Sequence, residues 1–369
     1  MNINLIFTYG VSLKDWEISG ILDRELEMYR RMILNNGTVV NLITFGDNED
    51  DDILIDDENI NTYPVYKYIK KTRSPFLNFL SSFLIPFKLK EELKDGDLIK
   101  TNQLNGSWIG IFLKFILKKP LIIRTGYNVY EFSKNERKSK IKQLFYFYLT
   151  KYSLKFSDKY LVSSNSDLVF LRENFSNTEN VVVFPNWVDS LKYNDFKNRY
   201  SNKVLSVGRL EDQKNYQFLI QKFSNSKIEL DIVGEGSRKK ELKKLAKKNN
   251  VNVNFLGRVD YFELQEIYKN YRIFIMPSLF EGNPKALLEA LASGCLVFAL
   301  KNKNIEEIIV NKKNGILFTL ETDLNKEIEK YLYSENSFNS LTTGAYDYIK
   351  ENNLINILLE KEMEIYKKL

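Results

Sequence analysis

Short apolar runs alternate with amphipathic stretches along the whole of this 369-residue chain, and the alternation stops once and then restarts. An apolar run of roughly four to eight residues between turn residues reads as a buried strand. Strands that alternate with helical stretches build parallel α/β sheets, because the chain must cross a face of the sheet to pair in parallel. In the first series, strands are expected at Asn4–Tyr9, Val39–Phe45, Leu98–Thr101, Leu121–Arg124, Lys159–Ser163 and Val181–Phe184, with a helix over Ser19–Asn35. Pro185–Tyr200, with Pro, Asn and Asp near its start, reads as a linker. The series resumes at Lys203–Val207, Leu230–Val233, Val253–Leu256, Ile273–Met276 and Leu296–Ala299, and the end of the chain is helical. The pattern therefore predicts two tandem α/β domains, 1–185 and 200–345, followed by a helical segment over 346–369. Open sheets of this kind bind ligands outside the carboxyl ends of their strands. A site between the two domains is expected.

Composition narrows the chemistry. The chain has no histidine, which excludes Ser-His-Asp and Cys-His machinery, a His-built zinc site and an imidazole acid or base. Catalysis must come from carboxylates, Lys, Arg, Tyr, backbone amides or the substrate itself. The single cysteine excludes an intrachain disulfide and fits a reducing compartment. A 44% hydrophobic content excludes a disordered chain.

The net charge of +6 is unevenly spread. Asp47–Glu58 holds eight acids and no base, and is expected to be a solvated loop, with a metal cage the lesser alternative. Residues 59–159 hold 20 Lys and Arg against 7 Asp and Glu, with interleaved aromatics. That is an electrostatic footprint for a membrane surface, a phosphorylated substrate or nucleic acid. No nucleic-acid module accompanies it, so no nucleic-acid partner is expected. MNINLIFTYG lacks the basic start and cleavage site of a signal peptide and reads as a buried strand. Phe76–Phe87 and Trp108–Leu117 are shorter than the roughly 20 residues a membrane span needs. They read either as core-facing helices or as helices partly at a membrane interface, where Phe, Trp, Leu and flanking Lys are favoured.

The densest chemistry lies in SLFEGNPKALLEALASG, Ser278–Gly294. Asn283 as N-cap and Pro284 as first helical residue predict a helix start whose free amides and dipole favour an anion. Glu281 lies before that helix and Glu289 inside it, spaced to grip an extended ligand at two points; the plain alternative is a capped helix with two solvated acids. SVGRLEDQKN places Gly208 and Arg209 at a strand end, with Lys214 five residues on, residue types suited to an oxyanion. IVGEG is a weak dinucleotide fingerprint, since only Gly234 and Gly236 fit, and reads better as a turn beside a base or ribose. FLGRV ends another strand with Gly257 and Arg258. Together these strand ends outline a nucleotide-diphosphate pocket. Asp95-Gly96-Asp97 reads as turn chemistry rather than a metal site.

PNWVD (Pro185–Asp189), SVGRLEDQKN, DIVGEGSRKKEL, VNFLGRV, PSLFEGNPKALLEALASGCLVFA and NGILF cover most of residues 185–320. In order and spacing they resemble glycosyltransferase family 4 (glycosyl transferases group 1), the retaining, metal-independent family with the GT-B fold. LIFTYG, WEISG and PLIIRTGYNVYEF match more loosely. The resemblance implies two Rossmann-like, doubly wound α/β domains facing each other across a cleft, with the acceptor bound by the first and the donor by the second. The C-terminal helix would return to the first domain.

Arg209 and Lys214 match the pair that holds the donor diphosphate, and Glu281 the acid that contacts the transferred sugar. Glu289 matches the acid that binds the ribose hydroxyls. Gly208, Gly234, Arg258 and the stretch Asn283, Pro284, Lys285, Ala286 and Leu287 would complete the donor site. Gly10 would let the opposite domain approach the diphosphate. Many members carry a histidine in the first domain; here Arg124-Thr125-Gly126-Tyr127 stands in its place. Arg124, Tyr127 and Trp16 are therefore candidates for the acceptor side, with structural support the alternative for the first two. The implied activity is transfer from a nucleotide sugar, UDP more than GDP, to a glycan hydroxyl, without metal or other cofactor. The basic, aromatic first half favours a lipid-linked acceptor and a peripheral position on an anionic cytoplasmic membrane face. A same-fold epimerase and a non-catalytic glycan- or lipid-binding protein are the alternatives.

Overall fold

The computed structural model describes residues 1–53, 55, 57–191 and 195–369. The chain divides into two compact units: Met1–Phe184 with Leu359–Leu369, and Pro185–Leu358. Among the described residues, the first unit carries a seven-stranded sheet of β1 (Asn2–Ile6), β2 (Val39–Thr44), β3 (Ile60–Pro64), β4 (Leu98–Thr101), β5 (Leu121–Arg124), β6 (Lys159–Val162) and β7 (Val181–Val183). The order is β3-β2-β1-β4-β5-β6-β7, with every pairing parallel. The second unit carries β8 (Tyr200–Val207), β9 (Glu229–Val233), β10 (Val253–Gly257), β11 (Tyr271–Met276), β12 (Leu296–Leu300) and β13 (Ile316–Phe318). Their order is β10-β9-β8-β11-β12-β13, again all parallel. Both sheets have the doubly wound Rossmann arrangement, reversing direction between β1 and β4 and between β8 and β11. The structure thus has the two-Rossmann α/β architecture expected from the sequence.

Parallel sheets are covered on both faces, which is why their strands read as nearly continuous apolar runs. In the second unit, Val204, Ile273 and Phe298 enter one core cluster, while their neighbours Leu205, Phe274 and Val297 enter the other. This is the period-two alternation of a strand with helices on each side.

Two strands escaped the sequence pattern. β3, ending in Pro64, and the three-residue β13 are edge strands, where one ladder partner suffices and the apolar signal is short. The expected helix over Ser19–Asn35 is Leu22–Asn36, and a short helix the pattern did not announce, Leu13–Ile18, precedes it. The described residues of the expected linker Pro185–Tyr200 are integral to the second unit, and 192–194 lie outside the described residues. Trp187, Val188 and Phe196 are buried, and the Arg199 guanidinium donates to the Tyr271 and Ser293 carbonyls (both 2.8 Å). The helical end also divides later than expected. Glu335–Asn352 packs into the second unit through Ala345 and Ile349, and only Leu359–Leu369 joins the first.

The acidic run is not wholly solvated. Asp50 is buried, accepting from the amides of Leu13 (3.1 Å) and Lys14 (3.0 Å) at the start of the Leu13–Ile18 helix and from the Thr44 hydroxyl (2.5 Å). Leu54 and Asp56 of that run lie outside the described residues. At Asp95-Gly96-Asp97 the Gly96 amide donates to the Leu93 carbonyl (3.1 Å), which closes the turn, and the Asp97 carboxylate accepts from the distant Asn2 amide (2.9 Å). No helix among the described residues is long and apolar enough to cross a membrane.

The end of the chain is tied to the first sheet by one buried ion pair. Lys100 on the central strand β4 meets Glu362, and both side chains are 2% exposed. Tyr366 donates to the same carboxylate (2.5 Å), and the Tyr29 ring lies 4.9 Å from the ammonium. Burial alone would push the Glu362 carboxyl up, but the Lys100 ammonium holds it below its ordinary value. Burial opposes the charge of Lys100 in the same way, yet Glu362 and Tyr29 leave it above the usual lysine value.

Glu362→Ala is expected to cost about 3–5 kcal/mol by leaving a buried ammonium unpaired, and Lys100→Met with Glu362→Leu to recover most of it, in denaturant unfolding. The pH dependence has a defined sign. The Glu362 contribution is complete above the ordinary carboxyl value and is lost as pH falls through the lowered folded one. Glu362→Gln is expected to remove that acid-side loss.

Candidate functional site

The turning point of the second sheet lies between β8 and β11, and the loops leaving their carboxyl ends carry most of the expected donor residues. After β8 come Gly208, Arg209 and Lys214; after β11 come Glu281, Asn283 and the Lys285–Ala292 helix. The structure brings the first group to the second. The Lys214 ammonium donates to Glu281 Oε1 (2.5 Å), with the two side chains 15% and 8% exposed. Gln213 donates to the Phe280 carbonyl (2.8 Å), Asn215 to the Pro277 carbonyl (3.2 Å), and the Leu279 amide to the Gln213 carbonyl (2.9 Å). The two loops are thus stitched at four points, which fixes Lys214 and Glu281 in place.

Arg209 differs from Lys214. It is exposed and forms no ion pair among the described residues. A guanidinium held on a fixed loop without a carboxylate partner is available for an oxyanion.

The glycines have a structural account. Gly234 sits at φ +142°, and a Cβ there would lie 2.0 Å from the Gly208 carbonyl oxygen. Its amide donates to the Gly257 carbonyl (2.7 Å), while the Gly208 amide donates to Val233 (3.0 Å) and the Leu210 amide to Glu235 (2.9 Å). IVGEG is therefore glycine-rich because the turns after β8 and β9 pack backbone on backbone. Ser237 donates through amide (2.9 Å) and hydroxyl (2.8 Å) to Glu211, and those bonds hold the Glu211 carboxyl below its usual value. Arg258 follows β10 and is exposed.

The helix start differs from expectation. Pro284, not Asn283, occupies the N-cap position, and no side chain caps the helix. Asn283 Oδ1 instead accepts from the Asn186 amide (2.8 Å), and the Asn186 side chain donates to the Asn283 carbonyl (2.5 Å). Asn353 in turn donates to the Asn186 carbonyl (2.7 Å). Asn283 thus anchors the loop and leaves the helix amides without a side-chain cap, which keeps the dipole's positive end open to an anion. Lys285 lies 5.0 Å from the buried Trp187 ring; Ala286 and Leu287 continue the first turn.

Neither glutamate is a solvated acid. Glu281 is 8% exposed and Glu289 3%, the latter accepting from the Tyr268 hydroxyl (3.3 Å). Asn186, Gln213, Asn215 and Tyr268 went unassigned in the sequence because amide and phenol side chains carry no spacing signature. Asn186 lies within PNWVD and Gln213 and Asn215 within SVGRLEDQKN, which was the available hint for those three; Tyr268 lies outside every motif. A larger cavity of about 850 Å³, lined by Asp195, Phe196, Glu335, Phe338 and Tyr346 among others, holds none of the expected residues.

In the first unit, Gly10 follows β1 at φ +80°, beside a cavity of about 270 Å³ also lined by Lys14, Tyr66 and Lys71, and a Cβ there would meet nothing within 4 Å. Arg124 ends β5 with its guanidinium 5.9 Å from the Phe184 ring. Tyr127 is exposed and rests against Phe132. Trp16 has a different place: it is 4% exposed and stacks on Phe7 (4.0 Å between centroids), so its ring belongs to the core.

Residues 191–348 match the family described as glycosyl transferases group 1. An uncharacterized glycosyltransferase of Methanocaldococcus jannaschii is 26% identical over 83% of this chain and 82% of its own. The Campylobacter jejuni enzyme named GalNAc-alpha-(1->4)-GalNAc-alpha-(1->3)-diNAcBac-PP-undecaprenol alpha-1,4-N-acetyl-D-galactosaminyltransferase is 25% identical over 74% of this chain and 75% of its own. Among solved structures, the sucrose-phosphate synthase of Thermosynechococcus elongatus superposes with a TM-score of 0.81 at 18% identity, covering 100% of this chain and 98% of its own. Anabaena HepE in complex with UDP-glucose does so at 0.75 and 18%, covering all of both chains. The fold is that of these GT-B structures.

Gly234→Ala is expected to destabilise the second unit by about 1–3 kcal/mol through the collision with Gly208, in addition to a positive-φ penalty of about 1–2 kcal/mol. Gly10→Ala meets no atom and is expected to cost only its positive-φ penalty, about 1–2 kcal/mol. Thermal unfolding of both variants, with UDP titration, checks the difference. Gly234→Ala should lose nucleotide affinity along with stability.

Proposed function

We propose that the protein is a retaining glycosyltransferase that moves a sugar from a UDP-sugar to a hydroxyl of a lipid-linked glycan at the cytoplasmic membrane face, in cell-surface glycoconjugate assembly. The observation that carries this reading is the Lys214–Glu281 pair, fixed between the loops after β8 and β11 beside a helix start without a side-chain cap. In this reading the donor diphosphate lies toward the Lys285–Ala292 amides, with Arg209 and Lys214 on its oxygens. Glu281 takes the transferred sugar's hydroxyls, and Glu289, oriented by Tyr268, takes the ribose hydroxyls. Gly208, Gly234 and Arg258 complete the donor surface. The family match and both relatives support glycosyl transfer, the UDP-glucose complex of HepE supports a UDP donor, and the Campylobacter enzyme's name supports a lipid-linked acceptor.

The chemistry follows from the missing imidazole. The bond between the anomeric carbon and the β-phosphate oxygen breaks, while the acceptor oxygen bonds to the same face of that carbon. The acceptor's proton passes to the departing phosphate oxygen, so no side-chain base is required. Negative charge grows on the leaving diphosphate, where preorganised cations and amides stabilise the transition state more than the ground state. Arg209, Lys214 and the helix amides supply that charge, and the reading assigns no metal. On the acceptor side, Arg124 takes a phosphate and Tyr127 a sugar face; Trp16, enclosed in the core, takes no part.

Lys214→Ala and Glu281→Ala are each expected to lower donor turnover by about 10²–10³ in kcat, as loss of a transition-state contact does. Glu289→Ala should mainly raise KM for the donor. The anomeric configuration of the product, read by NMR, should match that of the donor; inversion overturns the retaining mechanism. Tighter binding of GDP than of UDP overturns the choice of donor.

A further inference from the structure

The Lys140–Phe156 helix has two apolar faces. Leu149, Ser153 and Leu154 lie buried against the first unit. Ile141, Leu144, Phe145, Tyr148 and Tyr152 fall at i, i+3, i+4, i+7 and i+11, a second helical stripe, and all five are exposed, Ile141 by 82%. The stripe continues onto neighbouring helices of the same unit. Phe79 meets Phe145 (5.9 Å), Phe83 meets Phe112 (5.7 Å) and Phe115 meets Phe156 (5.6 Å). Around these contacts Phe76, Leu77, Leu80, Leu84, Phe87 and Phe115 stand exposed.

Half of the exposed large apolar side chains among the described residues therefore sit on the helices Pro75–Ser82, Ile85–Lys88, Ser107–Leu117 and Lys140–Phe156 or, for Leu84, between the first two. A contiguous apolar surface of this kind marks an interaction site. We infer that it docks in the plane of an anionic lipid leaflet, the apolar stripe entering the acyl boundary and the flanking lysines meeting the headgroups.

The charge selects that occupant. Residues 134–156 carry seven Lys and Arg against one acid, Glu136, and all seven bases are exposed. On the helical wheel, Lys140, Lys151 and Lys155 run along the side of the stripe away from the buried face. Their long arms can lie along apolar surface while the ammonium groups reach phosphate. A second copy of the chain would set these lysines against each other across a two-fold interface. Nucleic acid would satisfy the charge but leave Ile141 and Leu144 in water. The inference rests on the membrane-face part of the proposed function and does not depend on the glycosyl-transfer chemistry, which UDP binding reports separately.

Flotation of the full chain with phosphatidylcholine vesicles, and with phosphatidylcholine–phosphatidylglycerol vesicles, tests it. The wild type should float with the anionic vesicles only and be released as salt rises. Lys140→Gln, Lys151→Gln and Lys155→Gln together should lower partitioning about a hundredfold, at roughly fivefold per lysine. Ile141→Ser with Leu144→Ser should lower it at least about tenfold at unchanged charge. Both variants should bind UDP as the wild type does, which separates loss of docking from loss of fold or donor site. Equal flotation with neutral vesicles, no flotation with anionic ones, or a dimer in sedimentation that Ile141→Ser with Leu144→Ser abolishes would each overturn the inference.

Discussion

The parallel pairing of β8 with β11 is the constraint on which the donor-side geometry depends. These strands are neighbours in the sheet although β9 and β10 come between them in the chain. Their connections leave in opposite directions, so a crevice opens where the two loops start. A crevice between independent loops would be soft. Here Gln213, Asn215 and the Lys214–Glu281 pair stitch one loop to the other, while Gly208 and Gly234 let a third turn press against the first. The charges are preorganised by neighbouring backbone rather than by ligand, which is the condition under which electrostatic stabilisation needs little reorganisation during reaction.

Much of this was legible in the sequence for physical reasons. Inner strands of a doubly covered parallel sheet must be apolar on both faces, so β1, β2, β8, β9 and β11 announced themselves. The edge strands β3 and β13 did not, because Asn61, Thr62 and Pro64 interrupt the apolar run of the first and the second is only three residues long. Lys214, Glu281 and the helix beginning near Pro284 were visible because Gly, Pro and charge at strand ends are unusual in local context. Asn283 was visible too, but its task was not. Whether an Asn caps its own helix or holds a distant amide depends on what lies beside it, and Asn186 is about a hundred residues away in sequence. Trp16 illustrates the same limit, since a tryptophan in a loop-like stretch looks available until Phe7 covers it.

The first unit shows two uses of positive charge. Lys100 is taken out of water and held by a carboxylate and aromatic rings. The lysines of the Lys140–Phe156 helix stay in water beside a stripe of exposed hydrophobes. The first arrangement closes the fold, and the second leaves a surface open. Counting basic residues does not distinguish them; burial and partner geometry do.

The Lys100–Glu362 pair also sets an order of events. β4 lies early in the chain, and its lysine has no carboxylate to meet until residue 362 has been synthesised. The first unit thus acquires its buried counter-charge only after strands β8 to β13 of the second unit have been made. During that interval the incomplete unit must keep an ammonium wet at the centre of its sheet, so its final packing waits until residue 362 has been made.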